Sequence, residues 1–183
     1  MKKYGPISLF LIFIFAIAGC AGKQTGQNVW PLKNFSPIGL PSRIHSFGMI
    51  LYDKSGNSFS EKEWERKLKI VGDVYSVLRS CLGFEGDGSI DRQLRKVPVV
   101  VLPPEKIPGH KDDTAAVVYA DWASGSFGIK FTGATIFIRD DDFYPYILRH
   151  EWLHVYIYLV NIDAGKEIQG DNHANPLFKK CAF

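Results

Sequence analysis

The chain has 183 residues, 46% apolar and 14% aromatic, which is enough for one packed domain and too apolar for a disordered protein. Its formal net charge is +3, and no stretch interleaves basic and aromatic residues. Both points argue against a nucleic-acid partner.

The N-terminus reads as an export signal. Lys2 and Lys3 form a basic tip, Ile7 to Ile17 is an apolar run, and the small residues Ala18 and Gly19 precede Cys20. The run is too short to span a bilayer comfortably, so residues 1–19 are expected to be a secretory signal peptide. The ending Ile17-Ala18-Gly19-Cys20 resembles the lipobox of bacterial lipoproteins. That resemblance implies acylation of Cys20 and a membrane held through that anchor. An ordinary signal peptide is the alternative. The expected location is the cell envelope, outside the cytoplasm. Ala21, rather than Asp, fits the outer-membrane rule of Gram-negative lipoproteins, at the periplasmic face or the cell surface. From Cys20 to Ser46 the chain is rich in Gly, Gln, Asn, Pro and Ser and reads as a tether. The folded domain is expected over 47–183, as a monomer.

With Cys20 assigned to lipid, Cys81 and Cys181 remain. In an oxidising compartment such a pair is expected to form a disulfide. Closing so long a loop would stabilise by roughly 4 to 5 kcal/mol on chain-entropy grounds. Two free buried thiols are the alternative.

A strand is expected at Gly48 to Tyr52, followed by a turn at Asp53–Asn57. Ser60 with Glu63 forms a capping box. Trp64, Leu68, Val71, Tyr75, Leu78 and Leu82 then recur at helical spacing, and the helix should stop near Gly83. Val97 to Leu102 reads as a buried strand closed by Pro103-Pro104. Further strands are expected at Ala115–Tyr119, Gly128–Phe131 and Thr135–Arg139, with a turn at Ala123–Ser126. A second helix is expected from Phe143 to Val160, where Pro145 suits the first turn and Asp140, Asp141 and Asp142 suit the dipole. Helix, strands, helix is the order of an α+β domain.

The second helix carries His150-Glu151-Trp152-Leu153-His154. Residues four apart share a helix face, so both histidines can hold one metal ion. Glu151 projects to the same side and can act as general base, because a zinc ion lowers the pKa of bound water to about 7. Ile147, His150, Glu151, His154 and Tyr158 form one stripe. Leu148, Trp152, Val155 and Leu159 form the opposite, core-facing one. A third ligand is needed. The metzincin pattern would require a glycine where Ile157 stands and a histidine where Val160 stands, so that class is excluded. His173 is favoured, with Glu167 and Asp171 as alternatives. A bridge between Cys81 and Cys181 would pin the tail that carries His173.

The Arg149-His150-Glu151-x-x-His154 helix resembles that of zincin metallopeptidases. The helix together with the tail from Gly170 to Cys181 resembles small bacterial lipoproteins that pair these two patterns. The resemblance covers the second helix and the tail alone. It implies a small twisted, mainly antiparallel sheet with a backing helix and an active-site helix. It also implies that Thr132–Arg139 lies near the cleft and can pair with extended substrate. An oxyanion-stabilising group is needed too, with Tyr119, Tyr144, Tyr146 and Tyr156 as candidates. His45 and His110 read as loop residues, although the loop of His110 could border the cleft.

The expected function is zinc-dependent hydrolysis of peptide or protein substrates. His150, His154 and His173 would hold Zn2+ and Glu151 would be the base. The alternatives are an amidase acting on peptidoglycan stem peptides, or a non-catalytic, metal-stabilised lipoprotein that binds a partner.

Overall fold

The computed structural model describes residues 35–84, 88–105, 107, 110–111, 113–125, 128–163 and 173–182. The expected signal peptide, Cys20, Glu167 and Asp171 lie outside them. The described chain runs β1 (Ser42–Ile44), β2 (Ile50–Asp53), α1 (Glu61–Leu82), α2 (Ser89–Arg95), β3 (Val99–Leu102), β4 (Ala116–Gly125), β5 (Gly128–Arg139), α3 (Pro145–Asp163) and α4 (Pro176–Cys181). The fold is α+β, as expected. No helix among the described residues is long and apolar enough to cross a membrane.

The open sheet has the order β1-β2-β3-β5-β4. It is mixed: β1–β2 and β4–β5 are antiparallel, while β2–β3 and β3–β5 are parallel. The long β4–β5 hairpin supplies half of the paired residues and β1–β2 adds to it, so antiparallel pairing dominates by length and parallel pairing holds the centre. β3 explains the parallel centre. Val99, Val100, Val101 and Leu102 are all buried, as in an interior strand covered on both faces.

Alternation along the strands divides the core in two. Leu51, Val99, Val101, Ala116, Val118, Ile136 and Ile138 face the helices and join Trp64, Val71, Leu148 and Trp152. Val100, Leu102, Val117 and Phe137 face the other way and meet Ile107, Phe35 and Tyr119.

Helix α1 forms as its sequence dictates. Ser60 Oγ accepts the Glu63 N–H at 3.3 Å, and Glu63 Oε2 accepts the Ser60 N–H at 2.8 Å. Gly83 ends the helix at φ 70°, a left-handed conformation that glycine adopts without strain. Gly72 is needed for another reason. A Cβ there would lie 2.2 Å from His45 Nε2, so His45 packs directly on the helix backbone instead of lying in a free loop.

Several expected boundaries shift. Gly128–Phe131 and Thr135–Arg139 are one strand, β5, because the hairpin ladder runs through Gly133 opposite Asp121. Ala123, Ser124 and Gly125, expected in a turn, belong to β4. Part of the expected tether is ordered: Ser42–Ile44 pairs with β2, and Phe35 meets Phe137 edge-on at 5.2 Å. Thr132–Arg139 is not a free edge over its length. Ile136–Arg139 lies between β3 and β4, and β4 is the outer strand.

Candidate metal centre

Helix α3 begins at Pro145, whose missing N–H is no loss in a first turn. The helix is buried nearly all round, with Leu148, Trp152, Leu153, Val155, Ile157, Tyr158 and Leu159 inside. The stripe bearing the motif is also covered. Glu151 is 3% and His154 2% exposed, while His150 and His173 are part-buried. The expected division into two stripes is therefore a division of contacts, not of burial, because the C-terminal tail folds over the motif.

That tail is positioned in steps. Asn175 caps α4 by accepting the Leu177 N–H at 3.0 Å, and Pro176 follows at the first helical position. Phe178 and Cys181 turn inward. The sulfurs of Cys81 and Cys181 lie at bonding distance, 2.02 Å, so α4 is stapled to the last turn of α1. Arg149 Nε donates to the Ala182 carbonyl at 3.2 Å. The residue beside the first motif histidine thus ties α3 to the residue that follows α4.

These constraints bring three imidazoles together. His150 Nε2 lies 3.1 Å from His154 Nε2 and 2.9 Å from His173 Nε2. One ligand atom from each histidine falls within 4.8 Å of the others, a set that could hold a metal ion. A tetrahedral ion with metal–nitrogen bonds of about 2.05 Å would space its donors about 3.3 Å apart, so small ring shifts reach that arrangement. The donor chemistry fits as well. Burial, with His173 beside it, holds His150 down to about 4, which keeps its imidazole neutral at physiological pH, as a ligand must be. Burial pushes the Glu151 carboxyl up to about 8. Its Oε2 is buried without a hydrogen-bond partner among the described residues. Such a carboxyl is costly unless something in the site uses it.

The tyrosines separate clearly. Tyr119 packs with Phe137 on the sheet face away from the helices, and its hydroxyl lies 3.2 Å from His110 Nε2. Neither residue borders the histidine cluster. Tyr156 packs on Phe84. Tyr144 and Tyr146 stack on each other, half exposed, at the start of α3. Of the four, Tyr146 alone stands four residues before His150 and shares its stripe.

Sequence reasoning gave no role to Phe178, whose ring contacts all three imidazoles. The Asn175-Pro176 pair was the available signal for α4, but nothing local foretold the ring contacts. The chain matches no protein-family model, no curated protein and no solved structure.

Proposed function

We propose that this chain is a zinc-dependent hydrolase, a metallopeptidase that cleaves peptide bonds at the surface of a bacterial envelope membrane. The observation that carries the reading is the convergence of His150, His154 and His173, on a helix where the neighbouring Glu151 is buried with its Oε2 unpartnered among the described residues. A site that served only to stabilise the fold would not need that buried acid.

In this reading His150, His154 and His173 would hold the metal. Bound zinc supplies a Lewis acid and brings the pKa of a coordinated water near 7. His150 and His173 are part-buried, and substrate would approach from their side. Glu151 would take a proton from the attacking water at its carboxylate and return it to the leaving amine. Its buried position excludes bulk water from the proton path. Export through residues 1–19 and acylation of Cys20 would place this chemistry outside the cytoplasm.

The test is cleavage of a peptide library by the zinc-loaded protein, with and without a chelator. Cleavage that the chelator abolishes and added zinc restores supports the proposal. Cleavage insensitive to the chelator, or a protein that binds zinc and cleaves nothing, removes it.

A further inference from the structure

Three nitrogens within range do not by themselves make a ligand set. Each imidazole must also be held in one orientation, and outer partners usually do this. Helix α4 brings one side chain to all three rings. Phe178 is 4% exposed. Its ring centroid lies 4.9 Å from that of His150, 4.7 Å from His154 and 4.9 Å from His173. These separations fall in the range of aromatic contact. The rings are tilted at 56°, 56° and 40°. Two of the imidazoles belong to α3 and the third to the turn before α4. Phe178 therefore packs together ligands from separate segments.

The position of Phe178 is fixed on both sides. Its N–H donates to the Asn175 carbonyl at 3.0 Å, within the capped start of α4. One turn later, Cys181 is bound to Cys81, and Ala182 accepts from Arg149. The staple and the arginine thus fix the helix that carries this ring.

We infer that Phe178 is a positioning residue of the metal centre, its ring packing three imidazoles into one ligand-ready arrangement. The inference rests on the proposed metal site. In this role Phe178 touches neither substrate nor metal and acts through His150, His154 and His173. A smaller or more flexible apolar side chain would keep the burial but lose simultaneous contact with the three rings.

The test uses the full chain and compares wild type with Phe178→Leu and Phe178→Met, the second being closer in volume should the first not fold. Ser60→Ala, which removes the remote cap of α1, controls for general loss of stability. Zinc affinity is read by competition with a chromophoric chelator. The visible spectrum of the cobalt-substituted protein reports ligand geometry, and melting of the metal-free protein reports stability. The Phe178 variants should bind zinc about ten- to a hundredfold more weakly and show an altered cobalt spectrum. Ser60→Ala should melt earlier with both metal readouts unchanged. A folded Phe178 variant with wild-type affinity and spectrum would overturn the inference, as would an equal loss of affinity in Ser60→Ala. If wild type binds no zinc, the metal-site reading fails first and takes this inference with it.

Discussion

At the scale of single residues, the motif spacing carried most of the information. His150, Glu151 and His154 were legible because four-residue spacing on a helix is a strong geometric constraint. His173 was one of three candidates, and the structure brings it within 2.9 Å of His150. Replacing His173 with Ala should cost more than the ten- to hundredfold in metal affinity typical of an outer partner, measurable by chelator competition. Glu151→Gln should keep the metal and lower turnover by about a hundredfold or more. Lys67 was not legible. It falls within the apolar stripe of α1, yet it is fully buried between the rings of Phe59 and Phe143 and pairs with Asp140. Sequence cannot foretell a partner that lies across the fold. Burial holds the Lys67 ammonium below its usual 10.5. A lysine depressed in this way carries its full penalty below its folded pKa and sheds it as pH rises toward 10.5. Asp140 is 34% exposed, so Asp140→Asn should cost less than a fully buried pair, about 2 to 3 kcal/mol at pH 7. Urea denaturation should show that cost shrinking toward pH 10.

At the scale of elements, legibility followed local signals. Helix α1 was readable at both ends, from Ser60-x-x-Glu63 and from Gly83. β3 was readable from its unbroken apolar run. β5 was split in expectation because Thr132-Gly133 looks like punctuation, while the antiparallel ladder with β4 carries the strand through. α2 and α4 are too short for periodicity to reveal. The short α4 depends on tertiary attachment, chiefly the Cys81–Cys181 staple. Cys81→Ser combined with Cys181→Ser should destabilise the fold by about 2 to 5 kcal/mol, read by denaturant titration. Because α4 follows His173 directly, the same variant should also bind zinc more weakly than wild type.

At the scale of the whole molecule, the sheet carries its helices on one face, and α3 lies in the middle of that layer, packed against α1, β4, β5 and α4. The α+β class was readable from element order. The mixed strand order was not, since it depends on which strands meet after long crossovers. A metal held between α3 and the tail should couple to the stability of the whole domain. Zinc at a hundredfold excess over its dissociation constant should add about 2.7 kcal/mol, visible as a rise in melting temperature that a chelator reverses. The measurement that tests the central claim most directly pairs metal stoichiometry with peptide turnover in wild type and Glu151→Gln. The account predicts one zinc per chain in both proteins and cleavage by wild type alone. Equal cleavage by the two zinc-loaded proteins, or cleavage by neither, would contradict it.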